Sequence, residues 1–234
     1  MRHVVRSPWG RIGLGLAAIV FIAVVAGGFY IFGGQRPSGS DSPASAAAAT
    51  LTPSGDETAF TIDSSTSKAN FTIDEVLFGN PNTVVGTTNQ VTGQILVNTK
   101  DPSKTRVGQI RVDLSTLATD NDLRNNSIRN RILDTNDASN QFATFDAKSL
   151  QGMPSSITVG QTVSFKMTGD LTIHGVTKSV TFDVQATMES ASVLKGEAQT
   201  TVKYKDFNIA IPDVPSVTGV SDDVKLDLTF TAKA

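Results

Sequence analysis

Met167-Thr-Gly-Asp-Leu-Thr-Ile-His-Gly-Val-Thr-Lys-Ser-Val-Thr-Phe-Asp-Val184 reads as two strands meeting at a tight turn. Val163, Phe165, Met167, Gly169, Leu171 and Ile173 share one face; Thr162, Ser164, Lys166, Thr168, Asp170 and Thr172 share the other. Past the turn, Val180, Phe182, Val184, Ala186 and Met188 alternate with Thr181, Asp183, Gln185 and Thr187. A period of two, rich in β-branched and aromatic residues, marks strands with one buried face. The pattern breaks at His174-Gly175, where glycine supplies the backbone freedom of a turn.

The alternation recurs on both sides of this hairpin. Phe60 and Ile62 open a short strand, and Ala69, Phe71 and Ile73 continue in a second. Gly79-Asn80-Pro81-Asn82 is a break. Val91, Gly93, Ile95 and Val97 share the next apolar face, ending at the turn Asp101-Pro102-Ser103. Ile110, Val112 and Leu114 mark another strand, and Phe142 to Phe145 a further one. Val202 and Tyr204 belong to a strand ending near Phe207, and Val224, Leu226, Leu228, Phe230 and Ala232 to the last. Between them the period changes once. Thr119 or Asp120 suits a helix N-cap, and Leu123, Ile128, Ile132 and Leu133 mark one face of a short helix. The sum is eight to nine strands and one helix. A closed antiparallel barrel satisfies one-faced strands and removes sheet edges, and a two-sheet sandwich satisfies them equally.

The 234 residues contain no Cys and only two His, His3 and His174. Disulfides, thiolate metal sites, a Cys nucleophile and a His-cluster metal site are therefore excluded. Arg2, Arg6, Arg11 and Arg36 are the only bases before residue 37, and every acid follows them. Removing those 4 from the 20 bases leaves 16 against 22 acids, a formal charge of −6. A mildly acidic domain without a basic stripe argues against a nucleic-acid partner.

Ile12 to Phe32 is a run of 21 residues without a charge. As a helix it is about 30 Å long, the thickness of a bilayer core. Three Arg precede it and Arg36 follows, so the positive-inside rule puts residues 1–11 in the cytoplasm and the rest outside. The expectation is a single-pass cell-membrane protein, anchored through residues 12–32. The competing reading is a cleaved signal peptide, with Ala44-Ser45-Ala46 as its cleavage site. Residues 33–57 are rich in Gly, Ser, Pro and Ala and read as a flexible linker spanning roughly 25–30 Å. The β-domain, 58–234, is expected to be extracytoplasmic.

The hairpin resembles the YceI-like family through Leu171-Thr-Ile-His-Gly-Val-Thr-Lys178 and the Val-Thr-Phe that follows. Phe60-Thr-Ile-Asp63 and the run from Ser67 to Phe71 resemble its opening strands. Val112-Asp-Leu-Ser-Thr-Leu117, then Asp122-Leu-Arg124, resembles its passage from strand to helix. Phe142-Ala-Thr-Phe145 and Tyr204-Lys-Asp-Phe-Asn-Ile209 resemble later strands. Thr66 stands where the family carries an early His, and Tyr204 and Asn208 replace the Arg and Gly of its late motif.

The resemblance implies an all-β, antiparallel, eight-stranded lipocalin-like barrel with one short helix, here preceded by a single transmembrane helix. It also implies an isoprenoid lipid, of quinone or polyprenyl type, as the ligand. No cofactor is expected. The residues expected to line the cavity are Phe71, Ile73, Ile110, Val112, Phe165, Met167, Leu171, Phe182, Val184, Leu226, Leu228 and Phe230. Asn208 to Asp223 could form an apolar flap at its mouth.

No catalytic constellation is present, and enzymatic activity is not expected. His174 reads as a structural turn residue. Asp170 and Asp183 read as solvated outward positions and not as an acid–base pair. Asp134 to Ser139 lacks EF-hand spacing. Asp113, Ser115 and Thr116 have no Gly-x-Ser-x-Gly elbow and no second His beyond the apolar run. The alternative to a lipid carrier is a non-enzymatic structural or protein-interaction module of the cell envelope, with a filled core.

Overall fold

A computed structural model describes residues 50–234; the expected anchor at 12–32 lies outside them. Among the described residues no helix is long and apolar enough to cross a membrane. Thirteen strand segments follow one another: β1 (Glu57–Ile62), β2 (Lys68–Leu77), β3 (Asn80–Thr88), β4 (Val91–Thr92), β5 (Gln94–Asn98), β6 (Arg106–Val107), β7 (Ile110–Asp113), β8 (Phe142–Gln151), β9 (Thr162–Ile173), β10 (Val176–Ser190), β11 (Val193–Lys203), β12 (Val217–Thr218) and β13 (Asp223–Lys233). They form one curled antiparallel sheet, which sets the sandwich aside. From β4 the pairing runs through β7, β8, β9, β10, β11, β13, β1 and β5 to β6, while β2 and β3 form a hairpin laid against β13.

Thirteen segments stand where eight strands were expected, because local hydrogen bonds and close approaches interrupt the longer runs. Asp63 Oδ1 accepts from the Ser65 N–H and hydroxyl, a local turn that competes with the ladder and separates β1 from β2. Gln90 N–H donates to Thr88 Oγ1 between β3 and β4. Gly93, lying under the Ile110 side chain, separates β4 from β5. β11 ends at Lys203, and Tyr204–Phe207 forms a 3₁₀ turn instead of continuing the strand.

The central hairpin is as its alternation predicts. Ile173 pairs with Val176 across the two-residue turn, and His174 and Gly175 both have positive φ, 51° and 71°. This is the backbone of a primed turn, whose twist matches the flanking strands. Gly169 is required by close approach: a Cβ there would lie 2.6 Å from the Phe145 ring.

The second tight turn falls one residue earlier than expected. It is Phe78-Gly79, at φ 49° and 79°, and Asn80, Pro81 and Asn82 already belong to β3. A bulky residue in the left-handed region costs roughly 1–2 kcal/mol, and Phe78 is 66% exposed, so burial offsets little of that. Phe78→Asn is therefore expected to stabilise the domain by about 1 kcal/mol. Its thermal midpoint should rise by about 2–4 °C.

The helix α1 (Asp122–Ser127) is capped by Asn121, whose Oδ1 accepts from the Arg124 N–H at 3.0 Å. It continues into a π-helical turn, Ile128–Ile132. Leu123 is exposed and does not join the apolar face expected of it. Ile128 and Leu133 do turn inward, onto a small core with Leu114, Leu117 and Ala143. This core, the turn 78–79 and the turn 174–175 mark one end of the curled sheet, the helix end. The opposite, loop end carries the connection 152–161 between β8 and β9, the turn Pro102–Lys104 and the turn between β10 and β11.

Candidate ligand cavity

The inward faces enclose the main core. Phe60 is fully buried, and Phe145 meets Phe182 edge-to-face with ring centroids 5.0 Å apart, a preferred aromatic geometry. Towards the loop end the packing leaves a cavity of about 70 Å³. Its walls are apolar apart from Thr105.

Six of the twelve expected lining residues reach it: Ile110, Phe165, Met167, Val184, Leu228 and Phe230. The other six do not. Leu171 and Phe182 are solid core, with Leu226 packed against it. Phe71 packs on the helix-end core, and Val112 touches both cores. Ile73 is half-buried on β2, paired with Val84. Alternation identifies an inward face but not the height along the strand, and height decides which side chains fill the core and which border the void.

The remaining walls come from Ile62, Ile95, Val97 and Val107 on β1, β5 and β6, from Val163, Ala186, Met188 and Leu194 near the loop end, and from Ala198 further along β11. All but Val107, Leu194 and Ala198 lie on apolar faces already legible in the alternation. Met153 and Ile157 come from the 152–161 connection, where no periodicity could point to them. Every methionine after Met1, namely Met153, Met167 and Met188, borders this cavity. The flexible thioether side chain suits walls that re-pack around different contents.

The connection after β11 does not border the cavity. Thr218 and Val217 pair with β2 at the helix end, and Ile209 packs on both cores. An apolar flap at the cavity mouth is thus corrected: β12 draws this connection to the opposite end of the sheet.

The polar candidates have local roles. Asp113 Oδ1 accepts from the Ser115 N–H at 2.9 Å, capping a short 3₁₀ turn, and from the Ser115 hydroxyl at 2.6 Å. Asp170 pairs with Lys148 and Asp183 with Lys166 on the outer face. His174 holds the turn, and its Nδ1 is buried without a hydrogen-bond partner. Among the described residues no cluster of His, Asp and Glu is arranged to hold a metal.

The chain enters the sheet through a charged clamp. Arg106 donates through Nε and Nη2 to the two carboxylate oxygens of Glu57, at 2.8 and 2.6 Å, and through Nη2 to the Thr52 carbonyl. The Leu51 N–H donates to Gln94 Oε1 at 2.7 Å. The last part of the expected linker thus lies against the sheet. The Arg106 guanidinium, followed by the Ser54 N–H, holds the Glu57 carboxyl at about 2, below its ordinary 4.5. A folded value below the unfolded one gives stability above the unfolded value, lost as pH falls through the folded value. Glu57→Gln should therefore be less stable than the parent above pH 4.5, and the difference should shrink as pH falls, the two stability curves converging near pH 2 in an acid-unfolding titration.

Comparison with known proteins agrees with this geometry. No curated protein matches the chain. Among solved structures, a polyisoprenoid binding domain from Saccharophagus degradans superposes with a TM-score of 0.59 at 18% identity, covering 75% of this chain and 98% of that one. Burkholderia cenocepacia BcnA superposes with a TM-score of 0.57 at 18% identity, covering 74% and 99%. At these identities the likeness is one of fold. The family model of the YceI-like domain matches residues 60–232. Its span takes in eleven of the thirteen strands whole and part of β1 and β13, and the chain belongs to the YceI-like domain family.

Proposed function

We propose that this protein is a non-enzymatic, membrane-tethered, extracytoplasmic lipid binder that holds an isoprenoid chain, of quinone or polyprenyl type, inside its curled sheet. In this reading β1–β2, β3–β4–β5 and β6–β7 act as three bent staves. With β8, β9, β10, β11 and β13 they make an eight-staved barrel. The carrying observation is the apolar cavity bordered by three methionines. Each buried CH₂-sized group contributes about 0.8 kcal/mol, so a five-carbon unit gains at most roughly 4 kcal/mol before ordering costs. The uncharged run 12–32 supplies the tether. A carrier held beside a bilayer exchanges its tail without a long passage through water. The name of the Saccharophagus degradans domain supports the same class of ligand.

The test is lipid mass spectrometry on gently purified protein, followed by uptake from vesicles loaded with a long-chain quinone. A stoichiometric isoprenoid supports the reading. An empty extract with no uptake overturns it in favour of an envelope interaction module. One observation favours that second reading: Phe78 and Val85, on a single hairpin, are 66% and 46% exposed.

A further inference from the structure

We infer that the 152–161 connection is the portal of the cavity and the surface that lies against a lipid bilayer. The inference rests on the lipid-binding reading and adds to it where the chain enters.

Free room of about 70 Å³ is well below the roughly 300 Å³ at which small-molecule pockets begin. A tail therefore enters only if a wall moves. The walls on β9, β10, β11 and β13 are held by long ladders, whereas the 152–161 wall has few ties. Across to its neighbours it has Gly160 N–H to the Met188 carbonyl at 2.8 Å and a long bond, 3.4 Å, from Ile157 N–H to the Thr99 carbonyl. Gly152 and Gly160 bracket it, both left-handed at φ 89° and 84°. A segment with few hydrogen bonds to the body opens at low free energy.

Its chemistry fits a bilayer. Met153 and Ile157 are half-buried, with part of each side chain on the cavity and part towards solvent. Val159 is 59% exposed. No charged residue occurs between Lys148 and Lys166. The cations around this end are each neutralised: Lys100 by Asp56, Lys104 by Asp101, Arg106 by Glu57 and Lys195 by Glu189. An uncharged tip that presents Val159 among small hydroxyl side chains, inside a charge-balanced rim, can enter the headgroup boundary without desolvating an unpaired ion. It offers little to a charged protein partner. When the tip is immersed, the mobile wall of the cavity faces hydrocarbon, and a tail moves from one apolar phase to the other.

The chain has no cysteine, so single labels are unambiguous. Full-length Val159→Cys, and Phe78→Cys at the opposite end, are labelled with a polarity-sensitive fluorophore and reconstituted into phosphatidylcholine vesicles. The label at 159 is expected to be quenched by nitroxide-bearing lipid and to be at least threefold less accessible to iodide than the label at 78. A label at 159 as accessible to iodide as the one at 78 overturns the inference. Uptake of a fluorescent prenyl chain is followed in the same vesicles. Uptake with residue 159 in water overturns the portal and leaves the cavity reading intact. No uptake with residue 159 in lipid overturns the cavity reading and supports the docking surface. Val159→Asp is the second variant, on an exposed position. It should slow uptake from vesicles at least fivefold yet bind a prenyl chain delivered from dilute ethanol as the parent does. Parental uptake from vesicles by Val159→Asp also overturns the inference.

Discussion

Ala186→Phe is expected to cut isoprenoid uptake at least tenfold while the domain stays folded. Ala186 borders the cavity, pairs with Val163 and Gly196, and is half-buried. A phenyl ring at this position projects into the free room and occupies the path from the loop end to Met167 and Phe230. Overpacking of this kind costs about 1–3 kcal/mol, within the 5–15 kcal/mol stability usual for a domain. The control is the neighbouring Thr187→Phe. Thr187 faces the other way, its hydroxyl 2.8 Å from that of Thr162 on the outer surface, and its replacement should leave uptake unchanged. Titration with a fluorescent prenyl chain and a thermal melt on each variant separate blocked binding from unfolding. Equal uptake by both variants would place the ligand elsewhere.

Phe60→Ala is expected to lower the unfolding free energy by about 3–5 kcal/mol. Phe60 is 0% exposed, sits on β1 opposite Ile95, and belongs to the main core beside Phe207 and Phe230. Removing the ring loses its transfer free energy and leaves a hole that continuous strands cannot collapse to fill. The loss is a large part of a typical domain's total stability, so the denaturant midpoint should fall sharply with little change in slope. Phe78→Ala, at an exposed turn, should show no such loss. The contrast measures how far burial, and not aromatic content, holds the sheet together.

The hairpin β9–β10 was legible because a single chemical pattern runs through both strands. Every residue from Thr162 to Ile173 finds its partner between Val176 and Thr187, as the alternation requires. Six cavity residues were legible for the same reason, since inward faces are local information. The helix boundary was displaced by one or two residues. Thr119, read as a cap, instead donates its N–H and hydroxyl to Asn125 Oδ1, and Asn121 takes the cap. Several residues there can cap, and tertiary packing selects one.

Met153 and Ile157 could not be found in the chain alone. They stand in a connection without period or charge, and their place beside the cavity follows from the sheet curling until the β8–β9 connection crosses its open end. The same holds for the connection after β11, whose apolar residues suggested a flap until β12 paired with β2 at the far end.

By itself the sequence determined an all-β antiparallel domain, the inward faces, the His174-Gly175 turn and the absence of thiol and histidine-cluster chemistry, because each depends on neighbours within a few residues. The tertiary structure alone decided that the strands form one curled sheet broken into thirteen segments, that the void lies at the loop end, and that half of the inward-facing candidates do not border it. Those outcomes depend on how side chains from strands far apart in the chain divide a shared interior. Packing to uniform density is a property of that whole volume and of no single strand.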